Sequence, residues 1–241
     1  GRRSTRGSRR PSPGATPMPT TPPSARRRGS TEAMARHSTR ARAALAHLAE
    51  TDPAIAALAL WCTHRDAEGA TRTEDETICY GVDFEALALP EQVGLAAHHV
   101  LHVAFRHPAR ARAMAERLGP DHDPALFTLA ADALMNEALL QAGHALPRPA
   151  VTASELLAAA LKTPESPEAV LAEWDVERLF MALTRGPAGA GGEDRAGLAR
   201  AYAARRGFSD DLRPGGGEGE TREDADWRGR VARAMEVGRA A

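Results

Sequence analysis

Five residues near the middle of the chain, His98-His99-Val100-Leu101-His102, constrain its fold more than any other feature. They lie in an apolar run, residues 93–105, whose composition predicts a buried helix. Histidines four apart share one helix face, with Cβ atoms about 5–6 Å apart, so both imidazoles can grip one metal ion. The chain must therefore build its core around a helix with polar rings on a buried face.

A catalytic zinc site takes three protein ligands and an open position. His98 and His102 supply two. Asp132 is the first candidate for the third. It sits in a strongly apolar stretch, residues 125–141, that reads as a helix, and a carboxylate is costly to bury there unless it is paired or metal-bound. Asn136 shares its face four residues on. His107, just beyond the histidine helix, is the alternative third ligand. His99 points about 100° around the helix from His98 and is a poor ligand. It stands instead where the H-E-x-x-H zinc peptidases keep their general-base glutamate, which makes that base the one catalytic role open to it. His37, His47 and His64 have no partner at metal spacing and read as surface or packing residues.

Composition bounds the alternatives. The first thirty residues hold eight arginines, no acid and much Pro, Ser, Thr and Gly, the signature of a disordered basic tail. The alternative, with Met18 and Met34 as candidate initiators, is that this stretch is translated sequence upstream of the true start. Without those arginines, 23 basic residues face 32 acidic ones. That balance argues against nucleic acid as the partner. Two distant cysteines make no disulfide framework, and no apolar run has the ~18 residues of a membrane span. The expected location is the cytoplasm.

Two helices, broken at Thr51-Asp52-Pro53, are expected over residues 31–63. Thr77-Ile78-Cys79-Tyr80 is the best strand candidate. It is expected to line the cleft and pair with an extended substrate. The histidine helix should end before Pro108, and a short helix should follow to Leu118. Beyond residue 141, helices are expected at 153–162 and 166–183, a Gly/Pro-rich linker at 186–222, and a terminal helix within 223–241. The fold class is α+β: a mostly helical, zincin-like domain, residues 31–185, with a small β-sheet beside the metal helix.

The run from Leu95 to Arg110, followed by Asp123 to Asn136, resembles a bacterial metallopeptidase domain that precedes C-terminal von Willebrand A-type domains. Members show a His-Glu-Val-Leu-His helix, a following His and Arg, and a helix with Ala-x-Asp-x-x-x-Asn. The likeness spans about residues 40–185, and the Asp226-Trp227 helix resembles the lead into an A-type domain. It implies Zn²⁺ on His98, His102 and Asp132, a peptide or protein substrate, and hydrolysis by metal-activated water. It also implies company with a MoxR-type AAA ATPase. His99 departs from the family pattern at the glutamate. Two functions follow: a zinc metallopeptidase, or a non-catalytic metal-binding interaction module descended from one.

Overall fold

The computed structural model describes residue 1 and residues 38–185, 194–213 and 224–240. The basic tail expected at 1–30 lies outside the described residues, its first residue aside. Helices α1 (Arg42–Thr51) and α2 (Pro53–Ala59) meet at Asp52, whose carboxylate accepts from the Ile55 amide at 3.0 Å while Pro53 fills the first turn of α2. This is the expected two-helix start, and its cause is a side-chain cap on an amide that the helix itself leaves unpaired.

Three short strands follow: β1 (Thr63–Asp66), β2 (Arg72–Glu74) and β3 (Thr77–Tyr80). With β4 (Leu212–Arg213) they form a sheet in the order β1-β3-β2-β4. β3 runs parallel to β1 and antiparallel to β2, and β4 runs parallel to β2 with Leu212 opposite Thr73. The expected strand is thus present but interior. Both of its edges are already bonded, so it cannot add a substrate strand.

After a short helix, α3 (Val82–Glu85), the histidine helix α4 runs Leu89–Ala104 with Pro90 in its first turn. Arg106 takes a left-handed conformation (φ 56°) that ends it, and α5 starts at once at His107 (His107–Leu118). Gly94 lets another chain segment in: a Cβ there would sit 1.8 Å from the Ala145 carbonyl oxygen. Helix α6 (Pro124–Gln141) starts on the Asp123 cap and is apolar nearly all round, and it is buried accordingly.

The expected helix at 166–183 is two, α8 (Pro167–Glu173) and α9 (Val176–Thr184), following α7 (Ala153–Ala160). Asp175 divides them by capping the Arg178 amide at 2.7 Å. The stretch read as a linker at 186–222 holds structure in its middle: helix α10 (Arg195–Arg205) and β4. Ala199, Tyr202 and Ala203 lie at helical spacing and bury against α7, a pattern that the Gly-rich flanks obscure in the sequence. Those flanks, 186–193 and 214–223, lie outside the described residues. The terminal helix, α11, runs Asp224–Ala240 and packs on α2.

Two apolar cores result. One gathers α1, α2, β3, α4 and α11 around Tyr80, Phe84 and Trp227, and the other gathers α6, α7, α9 and α10 around Phe127 and Phe180. The α4–α6 contact joins them. The architecture is the expected α+β: mostly helical, with a small sheet against the histidine helix. Among the described residues, no helix is long and apolar enough to cross a membrane.

Candidate metal centre

The polar side chains of α4 and α6 meet at that contact. His98, His102, Asp132 and Asp211 each present one ligand-capable atom, and the four atoms lie within 4.8 Å of one another. His98 Nε2 is 2.8 Å from His102 Nε2. Asp132 Oδ1 is 3.3 Å from His102 Nε2 and 4.0 Å from His98 Nε2. The three residues singled out by sequence thus come together. Asp211, 113 positions from His98 along the chain, was not foreseen. Nothing in Ser209-Asp210-Asp211 sets it apart from other acidic loops.

Buried neighbours hold the histidines in one orientation. Asn136 Nδ2 donates to the Val151 carbonyl at 3.0 Å, which turns its Oδ1 toward His98 Nδ1 at 2.9 Å. His98 Nδ1 must therefore carry the proton, and its Nε2 lone pair faces the cluster. His107, the alternative ligand by sequence, places Nδ1 2.9 Å from His102 Nδ1, the ring nitrogen turned away from the cluster. It stands behind His102 and braces it. A supporting hydrogen bond of this kind is what would fix the imidazole if it ligated a metal.

His99 takes another direction. Its Nδ1 lies 2.9 Å from Thr73 Oγ1 on β2, and its Nε2 is 3.8 Å from Asp211 Oδ2. Burial pushes its pKa down to about 4, against the weaker opposing pull of Asp211. Burial holds His102 well below its ordinary value, with His98 and His107 adding to it, and puts His107 at about 3. These three rings are neutral at pH 7 and can act as lone-pair donors. His64 is also buried, but it bonds Tyr80 Oη and the Ala59 carbonyl, as a packing residue does.

The two carboxylates are set against each other. Burial, then the neighbouring charge of Asp211, drives Asp132 well above the carboxylate range. Burial also acts upward on Asp211, but the neighbouring imidazoles of His98 and His99 together outweigh it and hold Asp211 below the usual carboxylate range. Among the described residues their ionic partners are histidines, and Asp132 Oδ1 and Asp211 Oδ1 are buried with no hydrogen-bond partner. Unpartnered buried carboxylate oxygens beside imidazole lone pairs fit a divalent cation, and two nitrogens with two oxygens suit zinc. A cavity of about 240 Å³ opens on this cluster, lined by His98, His99, Asp132 and Asp211 and, beyond them, by Leu95, Pro149 and Phe208.

Against this geometry, a family model described as "Putative metallopeptidase domain" matches residues 36–241. The chain belongs to this metallopeptidase-domain family. No curated protein and no solved structure matches it. The match to the metallopeptidase-domain family takes in α10, β4 and α11 as well as the histidine helix, so the segment that delivers Asp211 is part of the same domain.

Proposed function

We propose that this protein is a zinc-dependent, metallopeptidase-like domain that holds its metal on His98, His102 and Asp132. The observation that carries the reading is the convergence of buried imidazole nitrogens and unpartnered carboxylate oxygens at the wall of an open cavity. A zinc ion there would lower the pKa of a water molecule and polarise a peptide carbonyl. The chain's own residues do the rest. Asn136 and His107 hold His98 and His102 in place, and burial keeps His102 neutral and ready to donate. The apolar part of the cavity wall, with Leu95 and Phe208, would receive the peptide.

The step without an obvious provider is proton transfer. His99 occupies the motif's base position, yet its ring is bonded to Thr73 and is a weak base at a pKa of about 4. That observation supports the second reading, a metal-binding interaction module in which hydrolysis has been lost. The family resemblance names its partner as a MoxR-type AAA ATPase. Elemental mass spectrometry of the purified chain, beside His102→Ala, tests the site that both readings share. About one zinc per chain, absent from the variant, is expected. A folded chain with no metal in either form would overturn both. Cleavage of a quenched-fluorescence peptide library by the zinc form would then support the peptidase over the module.

A further inference from the structure

We propose that Asp211 is a fourth protein ligand of the metal, delivered by the segment that leads into β4. The proposal rests on the metal reading above and deepens it. Asp211 Oδ2 lies 3.3 Å from His98 Nε2, the same separation as between Asp132 Oδ1 and His102 Nε2. Donors about 2.0–2.1 Å from a tetrahedral ion stand roughly 3.3–3.4 Å apart, so Asp211 already sits at ligand spacing. Its other oxygen, Oδ1, is buried with no hydrogen-bond partner among the described residues.

The backbone fixes the residue in this place. The Thr73 amide donates to the Asp211 carbonyl at 2.8 Å, and Leu212 pairs with Thr73 in the sheet. Thr73 is also the residue that holds His99. One strand position therefore sets both the ring at the motif's second position and the carboxylate beside it. The carboxylate missing from the motif's second position has a counterpart 3.8 Å from the His99 ring, on the residue that precedes β4.

Four protein donors close a tetrahedral sphere, which is the arrangement of structural zinc; catalytic sites keep one position open. A water or a substrate carbonyl reaches this metal by adding a fifth ligand or by displacing one already bound. Asp211 faces the cavity and is held by a two-residue edge strand, whereas His98, His102 and Asp132 sit on long buried helices. Asp211 is therefore the ligand that gives way. A metal on Asp211 adds a second anchor to residues 208–213, beyond the backbone pairing with Thr73.

The test uses the full chain with zinc and with cobalt(II). Competition titration of zinc is expected to show binding at least about 100-fold weaker in Asp211→Ala and Asp211→Asn, at or beyond the upper end of what losing a supporting residue costs. Asp210→Asn, next door and paired with Arg213, should leave the affinity unchanged. Asp211→Cys gives a positive signal that does not depend on comparing stabilities: its cobalt form should gain a thiolate-to-cobalt charge-transfer band that wild type and Asp210→Cys lack. Limited proteolysis should show zinc protecting residues 208–213 in wild type but not in Asp211→Ala. Wild type that binds neither ion would sink the metal reading and this proposal together. Wild type that binds, with unchanged affinity in Asp211→Asn and no new band in Asp211→Cys, overturns this proposal alone.

Discussion

The His99 ring is bonded through Nδ1 to a buried threonine, and this limits what it can do. A glutamate at the same position would bring a flexible carboxylate to the wall of the cavity, in place of a ring anchored to the sheet. His99→Glu is expected to create or raise peptide hydrolysis, by up to the roughly 10²–10⁴-fold that a positioned general base contributes. The measurement is cleavage rate at matched zinc occupancy. Silence with zinc fully bound would favour the interaction module. Asn136→Ala should weaken zinc binding by roughly 10–100-fold without removing a ligand, because His98 would lose the partner that fixes its protonated nitrogen. An unchanged zinc titration would deny Asn136 that role. The i, i+4 histidines and a carboxylate stranded in an apolar helix made most of this cluster legible in the sequence. Asp211 was not legible, because a ligand brought in by long-range strand pairing has no local spacing to betray it.

At the scale of elements, residues with strong local rules read well. Asp52-Pro53 starts α2 and Asp123-Pro124 starts α6, both through a carboxylate on a third-residue amide. β1 (Thr-His-Arg-Asp) and β2 (Arg-Thr-Glu) were missed because they are mostly charged and lack the apolar and aromatic residues that mark the equally short β3. Helix α6 carries Asp132 and Asn136, so its cap matters to the site. Burial acts to raise the Asp123 carboxyl, but the Arg200 guanidinium and the Leu126 amide outweigh it and hold it below the usual range. A carboxyl lowered on folding stabilises the fold fully above its unfolded pKa, about 3.9, and loses that contribution as pH falls through the folded value. Asp123→Ala should cost about 1 kcal/mol at neutral pH, and its gap from wild type should narrow as pH falls below the unfolded pKa of about 3.9. Urea midpoints at a series of pH values check this; a constant gap would mean that the charge is irrelevant. Gly94→Ala should be worse, by about 1–3 kcal/mol, since a backbone carbonyl rather than a flexible side chain blocks the new methyl. A wild-type melting temperature in that variant would contradict the close approach.

Across the whole molecule, the candidate metal centre lies where the two apolar cores meet. α4 belongs to the core that holds Tyr80 and Trp227, and α6 to the one that holds Phe127 and Phe180. Without a cation, Asp132 and Asp211 meet at this contact with histidines as their ionic partners, His99, His102 and His107 are held neutral, and two carboxylate oxygens have no hydrogen-bond partner among the described residues. An ion bound only by the native state removes that cost and ties the two halves together. At free zinc 100 times the dissociation constant, such linkage contributes about 2.7 kcal/mol. For a chain of this size, each kcal/mol moves the melting temperature by about 2–4 °C, so saturating zinc should raise it by roughly 5–10 °C. The rise should scale with zinc concentration and should be reversed by a chelator. His98→Ala and His102→Ala should abolish it while leaving a folded apo protein, because each removes a donor from α4 but leaves the apolar packing of that helix intact. A zinc titration that leaves the wild-type melting curve unmoved would mean that the two cores are joined by packing alone, with the four histidines and two carboxylates at their contact serving no ion.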